Sequence, residues 1–155
     1  MDKILWTGVF FYVNVILLLI TFFILLDKKK LKELLPIGLF IAALNYTVEI
    51  VGLHYEIWKY PLASPGYPEV TIISSLIYFP IVAILFSQYL GNTIQKNILL
   101  IIFFVSVNMV IEIITLKTTL LFVYSEKMNL WIALFMYLSA YLLIILFKHF
   151  YENLA

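Results

Sequence analysis

The sequence predicts an all-α fold: an integral membrane bundle of five transmembrane helices with an internal parallel repeat. Three observations carry this. Hydrophobic residues make up 65% of the 155-residue chain and charged ones only 12%, with a mean hydropathy of +1.07; a soluble domain carries about 25% charge. The apolar residues fall in five runs, at about 4–26, 34–53, 70–90, 98–116 and 130–147, each close to the roughly 20 residues that cross a bilayer. Asn45-Tyr46-Thr47-Val48-Glu49 has a near copy in Asn108-Met109-Val110-Ile111-Glu112. Each is followed by two β-branched aliphatics and then, at the same offset, by Leu53 or Leu116. The repeat pairs the second and third spans with the fourth and fifth, and residues 1–155 are expected to form a single transmembrane domain.

Composition also excludes several functions. The chain has no cysteine, which removes disulfides and thiolate chemistry. His54 and His149 are too few and too far apart for a histidine metal centre, so no metal site and no cofactor is expected. A net charge of +1 with no arginine argues against nucleic acid as a partner. The lipid bilayer is the one partner that composition requires.

The first run is too long for a signal-peptide core and is not followed by a small-residue cleavage pattern, so it is expected to stay as a span; Asn14 lies near its middle. It ends at Asp27-Lys28-Lys29-Lys30-Leu31-Lys32-Glu33, and so dense a lysine cluster beside a span marks the cytoplasmic side. Five spans then put the amino terminus outside and the carboxyl terminus inside a bacterial cell membrane. Lysines 28, 29, 30, 32, 96 and 148 fall inside and lysines 3, 59, 117 and 127 outside. Pro36 is placed in the first turn of the second span, where a missing amide proton costs little.

Between the second and third spans, residues 54–69 hold Trp58, Tyr60, Pro61, Pro65, Gly66 and Pro68. Proline and glycine deny this segment a continuous helix, while its aromatics suit the headgroup level, so an ordered external loop is expected. Pro80 is expected to kink the third span. In the loop after the fourth span, Leu120-Leu121-Phe122-Val123 is apolar enough to dip into the interface.

The paired motifs are the candidate site. A charged acid at a helix centre costs about 2.5 to 3.5 kcal/mol, and less near the end, so two of them at one depth call for partners. Counted from the outer helix ends, each glutamate lies about 6 Å and each asparagine about 12 Å inside. The spacing of four puts Asn45 with Glu49, and Asn108 with Glu112, on one helix face. Gly52 on the same stripe lets another backbone approach. If the two faces meet, each asparagine can donate to a carboxylate, and the pair can hold or pass a proton as a general acid or proton carrier. Ser74, Tyr78, Gln88, Tyr137 and Tyr141 are read as packing or anchoring residues. Trp58, Tyr60 and His54 stand beside the motif, either as interfacial anchors or as ligand contacts.

Taken together, Glu49-x-x-Gly52, Trp58-x-Tyr60, Gly66 and Pro68-Glu69 before a kinked span resemble the lycopene cyclase domain of the small, duplicated membrane carotenoid cyclases. The resemblance covers about residues 45–90. It implies an acid/base enzyme in which Glu49 and Glu112 act on an apolar isoprenoid or lipid substrate, with Glu69 at the pocket mouth. The chain also resembles small multi-pass proteins of endospore-forming Gram-positive bacteria, which implies no activity. Against the enzyme stands a non-catalytic reading, in which the site serves lipid or partner binding or proton-linked transport. A bundle this small then works with a membrane-protein partner or as a homo-oligomer.

Overall fold

A computed structural model describes residues 2–153 of the chain. Helix α1 spans Lys3–Leu25, α2 Leu31–His54, α3 Tyr67–Ile73, α4 Phe79–Tyr89, α5 Ile94–Thr118 and α6 Leu130–Glu152. A π-helical turn, Ser74–Tyr78, joins α3 to α4, so residues 68–89 act as one apolar rod. That rod with α1, α2, α5 and α6 makes five helices long and apolar enough to cross a membrane. The architecture is the expected all-α bundle.

Helix ends depart from the apolar runs because a helix continues as long as its backbone bonds are met, whether or not its side chains face lipid. Asp2 caps α1 through a bond from the Ile4 amide, and Asn129 caps α6 by accepting from Trp131 and Ile132, both at 3.0 Å. Helix α2 begins at Leu31 rather than Leu34, which moves Pro36 out of the first turn into the second. The carbonyl it leaves unpaired is that of Lys32, an exposed residue at a polar helix end, so the cost stays small. Helix α6 runs on past residue 147, supported by a Lys148–Glu152 pair at 3.7 Å.

Proline shapes the third rod in a more specific way than a simple kink. Pro80 has no amide proton for the carbonyl one turn back, and the chain absorbs this with an extra residue per turn: the Phe79 amide donates to the Ser74 carbonyl. Such π-turns re-aim side chains within an otherwise regular helix.

The packed core occupies one half of the bundle. Leu34, Ile37 and Ile41 of α2 meet Val82, Ala83, Ile84 and Phe86 of α4, with Val105, Tyr141 and Ile144 closing from α5 and α6. Phe86 is fully buried. Toward the other end, the helices enclose space instead of packing through. That end is roofed by the two longer loops, which pair as a short antiparallel ladder: β1 (Trp58–Lys59) against β2 (Val123–Tyr124), with Trp58 opposite Tyr124. The Ser125 amide extends the ladder to the Ile57 carbonyl at 3.0 Å. Leu121 is buried with Phe11 and Val70, and Phe122 packs against them, so these two residues of the 120–123 patch fold back onto the protein, while Val123 is exposed.

Helix α1 is tied at both ends. At the roof, Thr7 accepts a bond from the Leu120 amide at 2.9 Å. At the opposite end, the Gln88 side chain accepts from the Asp27 amide at 2.7 Å and donates to the Leu25 carbonyl at 2.9 Å.

Candidate functional site

Beneath the roof lies a cavity of about 270 Å³, lined from every helical rod and from both loops. Asn45 and Glu49 of α2 and Asn108 and Glu112 of α5 all line it, as do Trp58 and Tyr60. Helices α2 and α5 carry their acidic residues near the same end because both run toward the roof, as the β1–β2 ladder requires. The two glutamates thus border one shared space.

Each glutamate is held by the loop that follows its own helix. The Glu49 Oε2 accepts from the Tyr60 hydroxyl at 2.7 Å and from the Trp58 indole at 3.2 Å. Glu112 accepts through Oε1 from the Tyr124 hydroxyl. The Trp58 indole is buried, and the polar tips of Trp58 and Tyr60 are both turned onto the Glu49 carboxylate. Burial first, then the Glu49 charge and hydrogen bond, push the Tyr60 hydroxyl far above the usual phenol range. Burial, then the bond that Tyr124 donates to Glu112 and the Glu112 charge, do the same for Tyr124. Both stay protonated donors across the physiological range.

The two glutamates differ in what remains free. Glu49 is half-buried, whereas Glu112 is only 9% exposed and its Oε2 has no hydrogen-bond partner among the described residues. Tyr137 of α6, partly buried, shares the cavity wall with Glu112. An unpaired oxygen of this kind, shielded from the open space beside it, is a ready acceptor for a proton.

The asparagines do not donate to the carboxylates as the spacing suggested. The Asn45 amide donates to the Ser75 hydroxyl at 3.0 Å. Asn108, buried, accepts from the Tyr78 hydroxyl at 3.0 Å and donates to the Tyr141 hydroxyl at 2.5 Å. The physical reason is the π-turn, which brings Ser75 and Tyr78 round to face the two asparagines and so supplies closer partners than the acids. Each Asn-x-x-x-Glu motif thus splits its labour: the asparagine ties helices together, and the glutamate is left to the roof and the cavity.

Two other residues lie elsewhere. Glu69 is not at the mouth of the cavity: its Oε2 accepts from the Gly66 amide at 3.2 Å and caps α3, which is where an acid belongs at a helix start. His54 is exposed at the end of α2, edge-on to Tyr55 at 4.9 Å. Gly52 is approached by the Trp58 indole, not by another backbone. Tyr124 is the residue that the sequence reading overlooked. It follows Glu112 by 12 positions, as Tyr60 follows Glu49 by 11, so carrying the repeat into the loops would have found it.

Set beside known proteins, the chain matches no family model, no curated protein and no solved structure.

Proposed function

We propose that this is a multi-pass membrane protein that holds a small apolar guest, or one end of a lipid or isoprenoid chain, between the paired Asn/Glu motifs in the outer half of the bilayer. The supporting observation is the single cavity shared by Glu49 and Glu112. At about 270 Å³ it lies just below the range of about 300 to 1,000 Å³ usual for ligand pockets, so a long chain enters only by its end. The two carboxyl groups give the site its polar anchor and a means of linking occupancy to a proton, which serves binding or proton-linked transport. The repeat supplies the two like halves from which such a site is built. A membrane-protein partner or a second copy completes the assembly for transport.

Trp58 makes occupancy measurable. With Trp6 and Trp131 replaced by phenylalanine, Trp58 is the remaining tryptophan, and a brominated fatty alcohol is expected to quench its emission saturably, with unbrominated alcohol reversing the effect. Glu112→Gln is expected to weaken this at least tenfold. The comparison is Trp131 alone, 72% exposed on α6. Quenching of Trp58 that is no stronger and no more saturable than that of Trp131 would show only partition into the bilayer.

A lycopene-cyclase-like reaction is the second reading, favoured by the aromatic side chains of Trp58, Tyr60, Tyr78, Phe79 and Tyr137 around the two acids. Aromatic faces stabilise a cation formed by protonating an alkene. Glu69 takes no part, since it caps α3, and the family's second acid after proline-glutamate is Val70 here. Adding lycopene to the same quenching experiment and analysing the recovered polyene separates the readings: a cyclised end group supports catalysis, and unchanged polyene supports binding alone.

The proposed orientation places residues 27–33 in the cytoplasm and both roof loops outside. Because the chain lacks cysteine, single substitutions report cleanly. Glu126→Cys is expected to react with an impermeant thiol reagent in intact cells, and Lys29→Cys only after lysis. The reverse pattern inverts the topology.

A further inference from the structure

Two acids face the cavity, yet none of the described residues lining it is basic. The two lysines of the roof loops are occupied on its surface: Lys59 pairs with Glu56 at 3.3 Å, and Lys127 donates to the Tyr55 carbonyl at 2.9 Å. An ionised carboxylate in such a place requires a counter-charge, and the protein supplies none from within. The groups that face Glu112 are the Tyr124 hydroxyl from the roof, Tyr137 from α6, Tyr78 from the π-turn and Glu49 across the space. Glu49 in turn meets Tyr60 and the Trp58 indole. The phenols are neutral donors, and the other acid only adds like charge.

We infer that the guest is a small lipophilic organic cation, of the quaternary-ammonium or tertiary-amine class, that takes the place of a proton at the acid pair. Three features converge on this chemistry. Glu49 and Glu112 both line the cavity; a quaternary ammonium needs charge near it and no directional hydrogen bond, so it suits this acid pair. Aromatic side chains supply most of the polarisable lining, and their faces attract alkylammonium groups by about 0.5 to 2 kcal/mol each. Most of the rest of the wall is apolar, which matches alkyl substituents and disfavours a hydrated metal ion or an amino acid. Charge balance follows directly: each cation that enters displaces up to one proton, which leaves to solvent. This inference rests on the cavity's being a ligand site and adds a positive charge to the apolar guest proposed for it.

The test compares tetraethylammonium with its uncharged carbon isostere, 3,3-diethylpentane, on purified single-Trp58 protein in detergent. At pH 8 the cation is expected to bind at least tenfold more tightly than the isostere and to release protons into a weakly buffered solution. Lowering the pH to 5 is expected to weaken the cation at least tenfold and leave the isostere unchanged. Glu112→Gln, checked for retained helicity and cooperative unfolding, is expected to remove the preference for the cation. Equal binding of the two probes overturns the inference while leaving an apolar ligand site in place. Binding of neither, with brominated alcohol still quenching Trp58, also overturns it; loss of all three signals overturns the ligand site itself.

Discussion

Replacing Gly52 with alanine is expected to destabilise the protein by about 1 to 3 kcal/mol, although the same change in an unhindered helix gains up to about 1 kcal/mol. The sign is decided by one contact. A Cβ at position 52 would fall within the Trp58 indole, 2.6 Å from its Cε2. That ring is 8% exposed, bonded to Glu49 and fixed by the β1–β2 ladder, so it has nowhere to retreat without lifting the roof. Gly38→Ala is the control. Its Cβ would come 2.9 Å from the terminal Cδ1 of Ile84, a methyl that turns aside by rotation, and the change is expected to be near neutral. Unfolding in detergent compares the two; equal stabilities would mean that Trp58 is not a fixed wall of the cavity. A loss of stability at Gly52 together with greater solvent exposure of Trp58 emission would identify the roof as the element displaced.

Asn108→Leu is the second large effect, expected to cost about 1 to 3 kcal/mol. The side chain is 4% exposed and links α5 to the π-turn through Tyr78 and to α6 through Tyr141. Leucine fills similar space but strands two phenolic hydroxyls, and leaving buried polar groups unpaired costs more than the net worth of the bonds themselves. Asn45→Leu removes one bond, to Ser75, and is expected to cost about 0.6 kcal/mol, the average for a hydrogen bond between membrane helices. Equal effects at the two sites would contradict the view that Asn108 joins three rods where Asn45 joins two. Tyr141→Phe tests the same node from the other side and is expected to fall between them.

The five-helix fold was legible because it depends on run length and polarity, which any reading of the apolar segments recovers. The membership of the cavity was legible in part, since Asn45, Glu49, Asn108 and Glu112 share helical spacing and matched offsets. What spacing does not encode is which partner each polar group takes. A register shift of one residue at Ser74–Tyr78 re-aims the third rod and gives the asparagines to hydroxyls instead of acids. The roof was illegible for a related reason: two-residue strands have no periodicity to detect, so the pairing of Trp58 with Tyr124, and with it the role of Tyr124, exists only once the loops meet. Glu69 carried the same residue type as the site acids, but its place just inside a helix start made capping its nearest use.

The two-ended attachment of α1 has a mechanical consequence. Its roof end is bonded through Thr7 and its opposite end through the Gln88 clamp, while Phe10, Phe11, Asn14 and Val15 between them border empty space. A rod fixed at both ends does not swing like a door, because either hinge motion breaks the bonds at the far end. It bows. The side chain of Asn14 already bonds to the Phe10 carbonyl at 2.7 Å within that stretch, in competition with the regular ladder at the point of greatest leverage. Motion of α1 therefore costs least as a sideways flexing at its centre, with the bonds to the roof intact.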